Sequence, residues 1–107
     1  MSAIPERDWR VFRELQEVAL ERFCERVLRE VGRVVASEDK SWHQRYGTVF
    51  GLIQRKDAVL ARAFDGPRRS KAILQLLALC SEGLLTEEEL ARFTPETQER
   101  LRGLKAL

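Results

Sequence analysis

Cysteine, histidine, proline and long apolar runs are all scarce in this 107-residue sequence, which holds 2 Cys, 1 His and 3 Pro. One imidazole and no Cys-x-x-Cys spacing exclude a common zinc site, and we expect neither a metal nor a cofactor. The longest uncharged stretch, around AILQLLALCS, is far shorter than the ~20 residues that a membrane helix needs. The N-terminus reaches charge by residue 6 without an apolar run behind it, which argues against a signal peptide. We therefore expect a cytoplasmic protein without a membrane partner.

Motifs for catalysis are also missing. The sequence has no glycine-rich phosphate loop, no Gly-x-Ser-x-Gly elbow and no His-Glu-x-x-His helix. Cys24 or Cys80 could in principle act as a nucleophile with His43 as its base. Both cysteines lie inside apolar patterns, however, where a thiolate is disfavoured. We expect no enzymatic activity and two reduced, buried thiols.

Apolar residues recur every three or four positions through most of the chain, which is the spacing of amphipathic helices. This pattern predicts an all-α single domain over residues 1–107. Three antiparallel helices should form the core, and two short C-terminal helices should cover the part of the first helix that the third cannot reach. The expected bounds of the five helices are about 5–35, 42–64, 67–82, 87–93 and 95–102.

Residues typical of helix ends mark these bounds. Ser37 or Ser41 can cap the second helix, and Pro67 is suited to the first turn of the third. Gly83 is well placed to end the third helix, and Gly103 the last. The run Thr86–Glu89 has the spacing of a capping box.

The apolar stripe of the first helix rotates along its length. From Ala19 to Val35 the apolar residues are spaced by four, and each such step turns the stripe by about 40° on a helix of ~100° per residue. The two halves of this helix should therefore contact different partners, either two other helices or a second copy of the chain.

The second helix begins with WHQRYGTVFG, residues 42–51, which is rich in aromatic residues and glycine. Its large apolar residues fall on one side, which we interpret as a core face: Trp42, Tyr46, Val49, Phe50, Ile53, Leu60 and Phe64. A neighbouring side carries small or short polar residues: His43, Gly47, Gly51, Gln54, Ala58 and Ala61.

Two glycines on one face of a helix need an explanation, because each costs about 1 kcal/mol relative to alanine. We favour close packing against another helix, which the missing side chains of Gly47 and Gly51 would permit. The alternatives are a ligand resting on the bare backbone between His43 and Gln54, and a kinked helix.

Charge is unevenly distributed along the chain. Residues 40–71 hold 8 Lys/Arg against 2 Asp/Glu, whereas residues 1–39 and 72–107 each carry a net charge of −2. The candidate interaction or anion-binding residues of this basic segment are Arg55, Lys56, Arg62, Arg68, Arg69 and Lys71. The last three are expected in the first turn of the third helix, where the helix dipole favours an anion. We favour their neutralisation by Asp57, Asp65 or glutamates of the first helix, and an acidic protein or a phosphate-bearing partner is the alternative.

Nucleic-acid binding is considered for the same basic segment. A helix-turn-helix over residues 76–93 is excluded, because its second helix would begin Glu87-Glu88-Glu89 and be repelled by phosphates. Only residues 55–71 would serve for nucleic acid or a phosphate ligand.

The stretch LLALCSEGLLTEEEL, residues 76–90, resembles the short C-terminal helical oligomerisation motif known as SHOCT. That motif consists of a leucine-rich helix, then Gly, an apolar residue, Thr and an acidic pair before a second helix. The corresponding residues here are Leu76, Leu79, Gly83, Leu85, Thr86, Glu88 and Glu89. Leu90 stands where the motif usually has an aromatic residue, and the chain departs from it after that point. The resemblance implies homo-oligomerisation.

Together these features favour a non-enzymatic protein-interaction module that self-associates and presents its basic segment to an acidic partner. Nucleic-acid or phosphate-ligand binding through residues 55–71 is the alternative.

Overall fold

Five α-helices make up the fold in the computed structural model, which describes residues 3–107. No strand occurs within that range, so the all-α expectation is confirmed. The helices are α1 (Glu6–Val35), α2 (Trp42–Phe64), α3 (Ala72–Ser81), α4 (Glu87–Leu90) and α5 (Pro95–Lys105).

α1 and α2 form a hairpin joined by the polar loop 36–41. The Ser41 side chain caps α2 by accepting a hydrogen bond from Gln44 N at 3.0 Å, and Gln44 Oε1 accepts one from Ser41 N at 2.9 Å. This reciprocal capping box satisfies backbone donors that have no partner within the helix. The chain therefore reverses direction at the residues that the sequence indicates.

The buried core occupies only part of the elongated molecule, which measures 52 × 25 × 24 Å. Between Val27 and Ala63, Leu52 is the only buried residue. We call residues 28–35 and 42–58 the hairpin arm, because none of them is a buried member of the main core cluster, and only half-buried Val31 packs against it. The core consists of Ile4, Phe12, Leu15, Ala19, Phe23, Val27, Ala63, Ala72, Ile73, Leu76, Leu79, Leu84, Phe93 and Leu101.

α3 begins five residues later than predicted. The three cations Arg68, Arg69 and Lys71 are in the turn before the helix, where Lys71 N donates to Arg68 O at 2.9 Å. Inside the first turn, these cations would be repelled by the positive end of the helix dipole. The turn also lets Arg69 Nε donate to the carbonyl of Ile4 at 2.7 Å. The predicted position of these cations in the first helical turn is therefore wrong.

The C-terminal helices differ from the prediction in length. α4 is a single turn, and its Thr86–Glu89 capping box is present with Glu89 N donating to Thr86 Oγ1 at 3.1 Å. α5 continues through Gly103 to Lys105, so the predicted helix end at Gly103 is wrong. Gly103 adopts no positive φ angle, and a glycine in helical conformation lowers helix stability without ending the helix.

A buried carboxylate joins the start of α1 to the start of α5. Asp8 is 0 % exposed. Its Oδ1 accepts from Thr94 N at 2.8 Å, and its Oδ2 accepts from Thr94 Oγ1 at 2.6 Å and also from the Thr97 hydroxyl. A buried polar group is stable only when hydrogen bonds replace those it made to water, which these three donors do.

Arg26 of α1 forms hydrogen bonds with the segment between α3 and α4. Arg26 donates to the carbonyls of Glu82 and Gly83 at 2.7 and 2.6 Å. Gly83 has φ 65°, and Leu84 N donates to Leu79 O at 3.1 Å, which is the Schellman pattern of a helix C-terminus. These bonds satisfy carbonyls that α3 leaves without internal partners.

Candidate functional site

α2 presents large apolar side chains to solvent over its first three turns. The exposed fraction is 75 % for Trp42, 73 % for Tyr46 and 57 % for Phe50, and Ile53 is also exposed. We call these four residues the aromatic face. The interpretation of this side of α2 as a core face is therefore wrong for all four.

The width of the apolar surface on α2 explains the error. On a helix of ~100° per residue, apolar residues occupy an arc of about 180°, whereas a helix with one partner needs about 100°. The buried residues Leu52 and Ala63 lie about 120° and about 100° around the helix from Tyr46. α1 covers that side of the hairpin arm and leaves the aromatic face open.

The exposed apolar surface continues onto α1. Leu28 and Ile53 line one open groove of about 210 Å³ between the two helices, together with Cys24 and Asp57. Val35 borders a second hollow nearer the loop. Leu28 and Val35 are themselves exposed, so the apolar surface follows the groove along the hairpin arm.

Arg45 holds Trp42 in place. The guanidinium carbon of Arg45 lies 4.3 Å from the centre of the Trp42 ring, a cation–π contact. Arg45 Nε donates to Lys40 O and its Nη1 to Val35 O, each at 2.9 Å. Arg45 is thus held by the end of α1 and the loop, and it packs on one face of the indole while Trp42 remains exposed. The i,i+3 spacing of the two residues was the available sequence signal for this contact.

The glycine face predicted for close packing has no neighbouring helix within residues 3–107. A Cβ atom at Gly47 would meet nothing within 4 Å, and one at Gly51 would meet only Arg55 Nη1 at 3.4 Å. His43 and Gln54, at the two ends of this face, are both exposed. Close packing on this face therefore does not occur within the described chain.

The basic segment is not neutralised internally. None of the ion pairs among residues 3–107 includes Arg55, Lys56, Arg62, Arg68, Arg69 or Lys71. The expected neutralisation by Asp57, Asp65 or α1 glutamates is therefore wrong.

The six cations also do not form one patch. Arg69 donates a hydrogen bond to the Ile4 carbonyl. Half-buried Lys56 lines the groove that also contains Leu28 and Ile53. Arg62 and Lys71 line a shallow groove between α2 and α3, and Leu74 borders the same groove. The remaining cations are therefore spread out, with Arg55 and Arg62 on α2 and Arg68 and Lys71 in the turn that follows it.

The residues considered for catalysis are separated. Cys24 lies beside residues 53–60 of α2, whereas His43 is ten residues before Ile53, about 15 Å along the helix. Burial raises the pKa of the Cys80 thiol above its usual range. No group of three or more metal-binding side chains occurs in the part of the chain that the structure describes.

Within residues 3–107, the helices lack the combination of length and hydropathy that crossing a bilayer requires.

The segment that resembles SHOCT contributes its leucines to the chain's own core. Leu76, Leu79 and Leu84 are each about 1 % exposed or less. Homo-oligomerisation through these side chains would require the core to open. Most of the exposed large apolar residues of the described chain are instead on the hairpin arm, and Val18, Leu74 and Leu107 lie outside it.

Comparison of the chain with protein-family models, with curated proteins and with solved structures found no match.

Proposed function

We propose that this protein is a non-enzymatic interaction module that self-associates through the aromatic face. The observation that supports this proposal is the exposure of Trp42, Tyr46 and Phe50 side by side on one helix. Aromatic side chains of about 150–250 Å² each, at these exposed fractions, leave on the order of 400 Å² of ring surface in water. With the adjoining aliphatic residues, this reaches the upper end of the roughly 300–600 Å² of the largest apolar patch on a typical monomer, a patch that is often functional.

The second part of the proposal is that the basic segment faces an acidic partner. Arg55, Arg62, Arg68 and Lys71 are exposed and make no ion pair with another described residue. Exposed cations that form no ion pair within the chain attract acidic surfaces and accelerate association with them.

Self-association is tested by sedimentation velocity from low to high micromolar concentration. The parent protein should shift from monomer to dimer, whereas Tyr46→Ser with Phe50→Ser should remain monomeric because the rings supply the buried area. Leu74→Ser is the matched control, since Leu74 is also an exposed apolar residue but lies in α3 outside the aromatic face. A parent protein that is monomeric throughout would contradict the proposal.

Tryptophan fluorescence gives an independent measurement. In a Trp9→Phe variant, iodide should quench Trp42 strongly at low protein concentration, because its ring is 75 % exposed. Quenching should weaken as the dimer forms. Quenching that is equally strong at all concentrations would place Trp42 outside the interface.

Nucleic-acid or phosphate-ligand binding is the second candidate function, favoured by the same unpaired cations. Binding of fluorescent polyglutamate and of single-stranded DNA should be compared over a salt series, because phosphate binding weakens steeply with salt. The combined change Arg62→Ala, Arg68→Ala and Lys71→Ala should abolish binding of either anion. Preference for polyglutamate supports the acidic partner, and preference for DNA supports the second candidate.

A further inference from the structure

α1 has two apolar sides along the hairpin arm, and only one of them is covered. Val27, at the base of the arm, is buried beside α2. Leu28 and Val35, which are 64 % and 48 % exposed, lie about 100° and 80° around α1 from Val27. α1 therefore presents a second apolar side at about a right angle to the side that packs on α2.

α2 has the same arrangement. Leu52 is its buried residue in the arm, and Ile53 and Trp42 of the aromatic face lie about 100° and 80° around the helix from Leu52. Phe50 lies about 60° further around than Ile53, at the edge of the same side. α2 thus also carries a covered and an uncovered apolar side at about a right angle.

The two uncovered sides open in the same direction. Leu28 and Ile53 line one groove between the helices, and Val35 and Trp42 line the hollow nearer the loop. We call this side of the hairpin arm, which carries Leu28, Val35 and the aromatic face, the groove side. It is an apolar layer that is two helices wide.

The rest of the fold lies on the opposite side of α1. Arg26, which binds the segment between α3 and α4, is about 160° around α1 from Leu28. Arg33 is likewise about 160° around from Val35, and with Thr48 it lines a polar opening between the arm helices. α3, α4 and α5 therefore do not obstruct the groove side.

We propose that two copies of the chain pack the groove sides of their hairpin arms face to face, so that the two arms form a four-helix bundle. This inference rests on the proposed self-association. It adds α1 to the interface and names the occupant of the groove side as the hairpin arm of a second copy.

The right angle between the two apolar sides supports this arrangement. In a four-helix bundle each helix packs on two neighbours, about a right angle apart, and turns its polar residues outwards. One arm supplies two such helices, and the same arm of a second copy supplies the two that are missing. Because both copies use the same surface, the interface closes as an isologous dimer.

The groove side is large enough for a dimer. The aromatic rings leave on the order of 400 Å² in water. Leu28, Val35 and Ile53 add about 150 Å² at their exposed fractions, at roughly 60–120 Å² for a whole aliphatic side chain. The total of about 550 Å² is two-thirds of the ~800 Å² that each partner buries in a standard interface. Half-buried Cys24 and Val49 of the groove side, with polar residues at its rim, supply the remainder.

A single change on α1 tests the bundle. Leu28→Ser should raise the dimer dissociation constant about tenfold or more, because both copies lose the burial of a side chain that is 64 % exposed in the monomer. Leu28→Met should keep the constant within about threefold of the parent, since it preserves the apolar volume. Val18→Ser is the matched control, because Val18 is an exposed apolar residue of α1 outside the hairpin arm. Circular dichroism at monomer concentration should show parent helicity for all three variants.

Cys24 gives a measurement that leaves the interface unchanged. Its thiol lines the groove and is half-buried in the single chain. In a Cys80→Ser variant, labelling of Cys24 by an uncharged maleimide should slow in proportion to the dimer fraction as protein concentration rises, because the second arm covers the groove. Arg33→Cys, made together with Cys24→Ser and Cys80→Ser, is the control on the polar side and should be labelled at one rate at all concentrations.

The outcomes separate the two proposals. A weakened dimer in Leu28→Ser, together with protection of Cys24 in the parent dimer, supports the four-helix bundle. A dimer that is indifferent to Leu28→Ser, or in which Cys24 is labelled as fast as in the monomer, overturns the bundle and leaves self-association through the aromatic face standing. A parent protein that is monomeric at every concentration overturns both.

Discussion

The guanidinium of Arg22 binds both carboxylate oxygens of Glu89, with Nη1 to Oε1 at 2.7 Å and Nη2 to Oε2 at 2.9 Å, and so joins the middle of α1 to α4. Arg22 Nη1 also donates to Leu84 O at 2.8 Å, and Glu89 Oε1 accepts from Thr86 N at 2.8 Å. One carboxylate thus completes a helix cap and a bidentate ion pair at the same time.

The pair should make the fold sensitive to acid. Hydrogen bonding to Arg22 lowers the pKa of Glu89 to about 2, whereas an unfolded chain has a Glu pKa of about 4.3. The stabilisation is therefore complete above the unfolded value and is lost as pH falls towards the folded one. Because the Arg22 side chain is 36 % exposed, solvent screens the pair and we expect about 1 kcal/mol.

Urea unfolding of a Glu89→Gln variant measures this contribution. The variant should be less stable than the parent by about 1 kcal/mol at pH 7, and the difference should narrow as pH falls from 5 to 3. Glu88→Gln is the control, since Glu88 is the exposed neighbour without an ion pair. A difference that is constant with pH would contradict the depressed pKa.

Replacement of the buried carboxylate of Asp8 should be the most damaging polar change. Asp8→Ala leaves the Thr94 amide and two threonine hydroxyls without their acceptor, at a cost of about 2–4 kcal/mol. Urea unfolding should show this loss in free energy. Glu17→Ala, an exposed carboxylate on the same helix, should change stability by less than about 0.5 kcal/mol. Equal effects would mean that Asp8 does not hold α5 to α1.

The same glycine-to-alanine change should have opposite signs at two positions. Gly83 has φ 65°, where a Cβ is disfavoured, so Gly83→Ala should lower the free energy of unfolding by about 1 kcal/mol. Its Cβ would meet only Arg26 Nη1 at 4.0 Å, so the loss comes from the backbone alone. Gly103→Ala, inside α5 with open space around it, should raise stability by up to about 1 kcal/mol. Thermal unfolding of the two variants would show shifts in opposite directions, and a shift in the same direction would refute this reading.

Cys80 should react slowly with a thiol probe. Burial raises the pKa of this thiol, which lowers its thiolate fraction at neutral pH. In a Cys24→Ser variant, labelling of the native protein at pH 7.5 should be at least about tenfold slower than in urea. Labelling as fast as in urea would reopen the possibility of a reactive cysteine.

Local features were predictable from the sequence because they depend on residues within four positions of one another. The Ser41 cap of α2 and the Thr86–Glu89 capping box are present as the spacing indicates. The buried apolar residues of α1 from Ala19 to Val27 follow the predicted four-residue spacing. The start of α3 was mispredicted because the contact of Arg69 with Ile4 spans 65 residues. The burial of Asp8 depends in the same way on Thr94 and Thr97, which a local pattern does not reveal.

The sequence by itself determined the helical character of the chain, the caps of α2 and α4 and the apolar arc of about 180° on α2, since these follow from hydrogen bonding and side-chain spacing among residues close in sequence. Only the tertiary structure decided which part of that apolar arc is buried. Along residues 42–58 of α2, α1 is the one described helix that packs alongside, and it covers a single side of α2. The aromatic face is therefore open because the chain supplies too few helices to enclose it, not because its residues are polar.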